Sequence, residues 1–208
     1  MRSWEIRLIS GDDFTTRAWQ GELRSARGLW YDRGMVNKGE KFDYEKRIAD
    51  YRASTDQKAL EWRATVLGMD EKEQKRAYFR FMVADGRMAE AIHSIVDIAV
   101  EGWPVMMQGN HVVHIEKRHG ENGVQDKSMS DPEDFARIAF ALRNFDAVAR
   151  LPDNPSYRTR DNAAAAQLEF RTRIDGTSVI STVVPDTSRK WILITSARIE
   201  KRKADEHL

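Results

Sequence analysis

The last third of the chain sets the tightest limit on its fold. Leu168, Phe170, Thr172 and Ile174 alternate with charged residues, and a period of two puts the apolar set on one side of a pleated strand. Asp175-Gly176 is a hairpin turn signal, because glycine accepts the positive φ that such a turn demands. Thr177 to Val184 is the return strand, Pro185 to Lys190 a second turn, and Trp191 to Ile199 a third strand. An antiparallel meander of this kind has one apolar face to bury, and the rest of the chain must cover it.

The cover is helical. Tyr44, Ile48 and Tyr51 fall at i, i+4, i+7. Thr55 or Asp56 caps a second helix carrying Leu60, Trp62, Val66 and Leu67, closed by Gly68. Asp70 opens a third, with Tyr78, Phe79 and Met82 as its stripe, and Met88 to Val100 forms a fourth that Gly102 ends. Ser130 or Asp131, followed by Pro132, starts a helix carrying Phe135, Ile138, Ala139 and Leu142. Near the start, residues 3–9 alternate as a short strand, Phe14 to about Trp30 is helical, and Arg33 to Gly39 is a loop. The expected fold class is α+β: a mainly helical region over 1–100 and, over 101–208, a small domain with an antiparallel meander and two helices. Lys201 to Leu208 is a solvated tail.

Composition removes several function classes. The chain has no cysteine, which excludes a disulfide scaffold, a thiol nucleophile and cysteine-based metal sites. No apolar run approaches the roughly 20 residues of a membrane span, and Met1-Arg-Ser-Trp-Glu-Ile-Arg7 lacks the apolar core of a signal peptide. A cytoplasmic protein with no membrane partner is expected. With 34 Lys/Arg against 33 Asp/Glu, a nucleic-acid partner would have to be met by a local patch. From Arg143 to Lys203 there are 12 Lys/Arg and 7 Asp/Glu, and Arg171 and Arg173 share one strand face.

The densest chemistry lies in His111-Val-Val-His-Ile-Glu-Lys-Arg-His-Gly120, which holds three of the five histidines together with Lys117 and Arg118. Asn110 is suited to cap this helix and Gly120 to end it. His111, His114 and Arg118 then fall close to one line, with Ile115 and His119 on the next. His114 and His119 are five apart, which is the wrong spacing for a zinc-binding helix pair, and Lys117 and Arg118 oppose a cation. There is no Gly-x-Ser-x-Gly elbow, phosphate loop or dinucleotide fingerprint. Metal-independent RNA cleavage fits what remains and calls for no cofactor. It needs a base for the ribose 2′-hydroxyl, an acid for the leaving 5′-oxygen, and cations for the charge on phosphorus. Thr195, Ser196 and Arg198 on the last strand are candidates for a second wall.

Three blocks in order carry a resemblance: Pro104-Val-Met-Met with His114-Ile-Glu-Lys-Arg-His119-Gly120, then Leu142-Arg-Asn144-Phe-Asp146-Ala-Val148, then Trp191-Ile-Leu-Ile-Thr195-Ser196-Ala197. Over about residues 103–201 the chain resembles the phage-associated barnase–EndoU–colicin–RelE-like nuclease domains. Those have a His-Ile-x-Lys-x-His-Gly helix, a Leu-x-Asn-Pro-Asp-x-Val-like turn and a last strand ending Val-Thr-x-Tyr. Phe145 stands where the family often has proline, and Ser196-Ala197 replaces the run to tyrosine. The resemblance implies a compact α+β fold with an antiparallel sheet and metal-independent RNA cleavage, in a toxin or phage setting. It carries His114, Lys117, His119 and Thr195 over as active-site residues. Arg118, Arg171, Arg173, Ser196 and Arg198 are the expected substrate-binding set. RNA is the expected partner, and an acidic immunity or antitoxin protein a second one. The alternative is a catalytically silent module of the same fold in a phage structural or regulatory complex.

Overall fold

The computed structural model describes residues 30–32, 44–152, 166–174 and 176–201. In chain order its elements are β1 (Trp30–Asp32), α1 (Tyr44–Ala53), α2 (Gln57–Leu67), α3 (Glu71–Gln74), β2 (Tyr78–Val83), α4 (Gly86–Val96), β3 (Pro104–Gln108), α5 (Gly109–His119), α6 (Pro132–Ala136), α7 (Ile138–Arg143), β4 (Ala147–Leu151), β5 (Gln167–Ile174), β6 (Thr177–Asp186) and β7 (Trp191–Lys201). The fold is α+β. The expected strand at residues 3–9, the helix from Phe14 up to Trp30, the loop Arg33–Gly39 and the tail beyond residue 201 lie outside the described residues, except that Trp30 itself belongs to β1.

All seven strands form one sheet in the order β1-β4-β5-β6-β7-β3-β2. The alternation read from the sequence becomes the β5–β6–β7 meander, with Gly176 at φ 69° in its first turn. Each neighbouring pair is antiparallel except β3 and β7, which run parallel with Val105 opposite Ile192 and Met107 opposite Ile194. A bulge in β7 at Thr195 shifts the register with β6.

One face of the sheet carries the helices. Leu168 and Phe170 of β5, Val183 of β6, Ile192, Ile194 and Ala197 of β7 and Val105 and Met107 of β3 share one buried cluster with Ala59, Val66, Met88, Ile92, Val112, Ile115, Phe135 and Leu142. Ile174 and Val179 continue that face and pack against Tyr51 and Ala141. Ala147, Ala149, Ile180 and Val184 are also buried but stand outside both clusters, on the opposite face.

The structure corrects several expectations. The helix opened by Asp70 stops after one turn. Its capping box with Glu73 is present, but Tyr78 to Val83 form β2 against β3. Aromatic and β-branched side chains suit a strand, and tertiary pairing overrides the local helical period. The next helix ends at Val96, where Asp97 takes a left-handed φ of 54°. The helix after Asp131 is two short pieces that stop at Arg143, and β4 follows it as a strand the sequence reading lacked. The region before residue 100 is therefore not simply helical. It supplies β1 and β2 to the shared sheet and Ala59, Val66, Phe81, Met88 and Ile92 to the shared cluster.

Candidate functional site

Helix α5 follows β3 without a loop. Gly109 makes this junction: its N–H donates to the Ala77 carbonyl at 2.9 Å, and a Cβ there would lie 2.7 Å from the Gln74 carbonyl oxygen. Asn110 is not the cap. Gln108 occupies that position and makes no side-chain capping bond. Val112 and Ile115 anchor the helix in the core, each worth about 1.5–3 kcal/mol by burial.

The helix lies where the sheet changes. β3 accompanies β7 only as far as Ile194, while β7 runs on to Lys201. His111 hydrogen-bonds the Ile194 backbone, and the Ile199 N–H donates to the Ser128 hydroxyl at 3.2 Å. The helix and its following loop thus flank the part of β7 that β3 leaves.

Burial separates the three histidines. His111 is buried, and that burial, with the charge of His114, lowers its pKa from 6.5 to about 4. Near pH 7 it is a neutral packing residue. His114 is half-buried; burial first, then the charges of Arg118 and His119, push its pKa below the ordinary value. His119 is 3% exposed, and its Nδ1 lies 2.9 Å and 3.0 Å from the two carboxylate oxygens of Asp126. The acceptor fixes the proton on Nδ1 and leaves Nε2 as the second ring nitrogen. Burial raises the Asp126 pKa, but hydrogen bonds from Ser128 and His119 outweigh it and hold the carboxyl below its usual range.

The loop from Gly120 to Ser130 is built to hold that pair. The Ser128 N–H donates to Asp126 at 2.9 Å, the Met129 N–H to the His119 carbonyl at 2.7 Å, and the Asp126 N–H to the Arg118 carbonyl at 3.1 Å. Lys117 and Arg118 are exposed beside it. A groove of about 710 Å³ runs between α2, α3 and α5, lined by Leu67, Gln74, Asn110, Val113, Glu116 and Lys117 among others. Of the residues singled out from the sequence as site residues, Lys117 alone lines it.

The remaining expected residues are placed elsewhere. Thr195 is 3% exposed, and its hydroxyl donates to the Thr182 carbonyl at 3.3 Å, so it serves the bulge. Arg171, Arg173, Ser196 and Arg198 lie on the sheet face away from α5. There Arg198 pairs with Glu169 at 3.1 Å and Glu200 at 2.9 Å, and Arg171 with Glu169 at 3.3 Å. The sheet therefore separates Ser196 and Arg198 of the expected second wall from the histidine helix. In turn, Asp126 and Ser128 carry no sequence signal of this role. Both sit in a stretch that reads only as a polar loop, and no spacing rule ties Asp126 to His119.

Among the described residues, no three of His, Cys, Asp or Glu gather as a metal site would need, and no helix is long and apolar enough to cross a membrane. No family model, curated protein or solved structure matches the chain.

Proposed function

We propose that the C-terminal end of α5 is the active site of a metal-independent endoribonuclease. The observation that carries this reading is the Asp126 carboxylate seated on His119 Nδ1 at 2.9 Å. A carboxylate in that place orients an imidazole and fixes its tautomer, as an acid–base histidine requires. His114, kept neutral by burial and by the charges of Arg118 and His119, takes the proton from the ribose 2′-hydroxyl. The 2′-oxygen attacks phosphorus, the bond to the 5′-oxygen breaks, and His119 returns a proton to that oxygen through Nε2. Lys117 and Arg118 meet the phosphate charge. The products are a 2′,3′-cyclic phosphate and a 5′-hydroxyl. An acidic inhibitor protein would cover Lys117 and Arg118.

The test is RNA incubated with the purified chain in EDTA, with product ends read by mass spectrometry. Cyclic phosphate ends are expected, falling about 10²–10⁴-fold in rate with His119→Ala and with Asp126→Asn. Intact RNA across pH 5–8 would sink the reading.

A second reading has its own observation. His119 and Thr195 are each 3% exposed, which suits a structural histidine in a catalytically silent binding module. Retained RNA or protein binding with no cleavage, and a loss of stability in His119→Ala, would favour it.

A further inference from the structure

The sheet face turned away from α5 is chemically unlike the helical one near β2, β3 and the start of β7. By register, Tyr78 and Arg80 of β2, Met106 and Gln108 of β3, and Leu193 of β7 share that face, with Trp191 next along it. The Tyr78 and Trp191 rings meet there at 5.1 Å between centroids, and both residues are half-buried, as are Met106 and Leu193. Each ring is held at its polar end. Trp191 Nε1–H donates to Asp186 at 3.2 Å, and Gln108 Nε2 donates to the Tyr78 hydroxyl at 2.8 Å. The Arg189 guanidinium lies 4.8 Å from the Trp191 ring centroid. Arg80, Arg189 and Lys190 are exposed at the rim. The nearby acid, Asp186, is engaged by the Ser188 and Arg189 N–H groups, by the Ser188 hydroxyl and by Trp191, and the Arg189 Nε lies 3.9 Å from it on the exposed side.

We propose that this face is a stacking platform for single-stranded RNA, with Tyr78 and Trp191 receiving unpaired bases and Arg80, Arg189 and Lys190 meeting the phosphates. Pre-set aromatic rings beside cations are what binding of unpaired strands needs, because every base has a π-face and every linkage a negative charge. A polyanion complements the charge of this rim. The identity of the ligand rests on the RNA reading above, while the platform lies across the sheet from His114 and His119.

The test is fluorescence anisotropy with a labelled RNA of about 12 nucleotides, 2′-O-methylated throughout so that it has no attacking hydroxyl. Wild-type chain is expected to bind it in a salt-dependent manner. The Arg80→Glu/Arg189→Glu double variant is expected to weaken binding by about tenfold or more, and Trp191→Leu by about five- to tenfold. Arg52→Glu/Lys58→Glu, an equal charge change on the helical side, is expected to shift it less than about twofold. No binding by wild type, unchanged binding by the Arg80/Arg189 variant, or equal affinity for a blunt RNA duplex would each overturn the platform. Because the probe cannot be cleaved, the two proposals separate. Platform-dependent binding by a chain that leaves RNA intact keeps the platform and retires the nuclease. Cyclic-phosphate cleavage by a chain whose binding ignores the platform does the reverse.

Discussion

His111 is held neutral inside the fold, and this gives the protein a defined response to acid. Its pKa falls from 6.5 to about 4 on folding. The unfolded chain takes up a proton near pH 6.5 that the folded chain refuses until about pH 4. The contribution of this group is complete above the unfolded value and is lost as pH falls through that window, to a total of about 3 kcal/mol. Urea unfolding is expected to show a lower midpoint near pH 5 than near pH 7, and His111→Gln should show a smaller drop between the two. The sequence presents His111, His114 and His119 as near-equals on one helix. What distinguishes them comes from elsewhere in the chain: the Ile194 backbone for His111 and the Asp126 carboxylate for His119. Helical spacing cannot report partners that a neighbouring strand and a folded-back loop supply.

Two arginines from different helices clamp the turn between α7 and β4. Arg47 of α1 pairs with Asp146 at 2.8 Å and donates to the Asn144 carbonyl. Arg87 of α4 donates to the carbonyls of Arg143, at 3.0 Å, and Phe145, and its guanidinium sits 4.1 Å from the centre of the Phe145 ring. Phe145 is 1% exposed and meets Phe170 edge-on at 5.0 Å. Arg87→Ala removes charged hydrogen bonds and a cation–π contact, and is expected to cost about 2–3 kcal/mol in urea unfolding, with Arg87→Lys intermediate. This turn explains why Asn144-Phe145-Asp146 is readable as a motif while its anchors are not, since Arg47 and Arg87 are remote in sequence. The same contrast holds among strands. β5 and β6 were legible because strict alternation and the Asp175-Gly176 turn act locally. β2 was not, because its register slips between Arg80 and Met82. That slip lets Phe79, Phe81 and Met82 all pack against the helical core, and Phe79 and Met82, three apart, imitate part of a helical stripe.

At the scale of the molecule, one sheet draws on the chain from both sides of residue 100, with β2 on its edge and β3 joining it to the meander. A fragment of residues 101–208 would lose Ala59, Val66, Phe81, Met88 and Ile92 from its core. It is expected to show poor amide dispersion in NMR and no cooperative melt, and residues 1–100 added in trans should restore both; a cooperatively folded fragment alone would contradict this. The meander was legible because its pairings join neighbours in sequence. The pairing of β3 with β7 was not, because a parallel pair carries no turn signal between its strands. That pair also imposes an order of events. Val105 must find Ile192 across most of the second half of the chain, and such closure is slow compared with hairpin formation. Since α5 continues directly from β3, His111 meets the Ile194 backbone only after β7 is in place. During synthesis on the ribosome, therefore, the growing polypeptide carries a His111 without its strand partner until β7 has emerged.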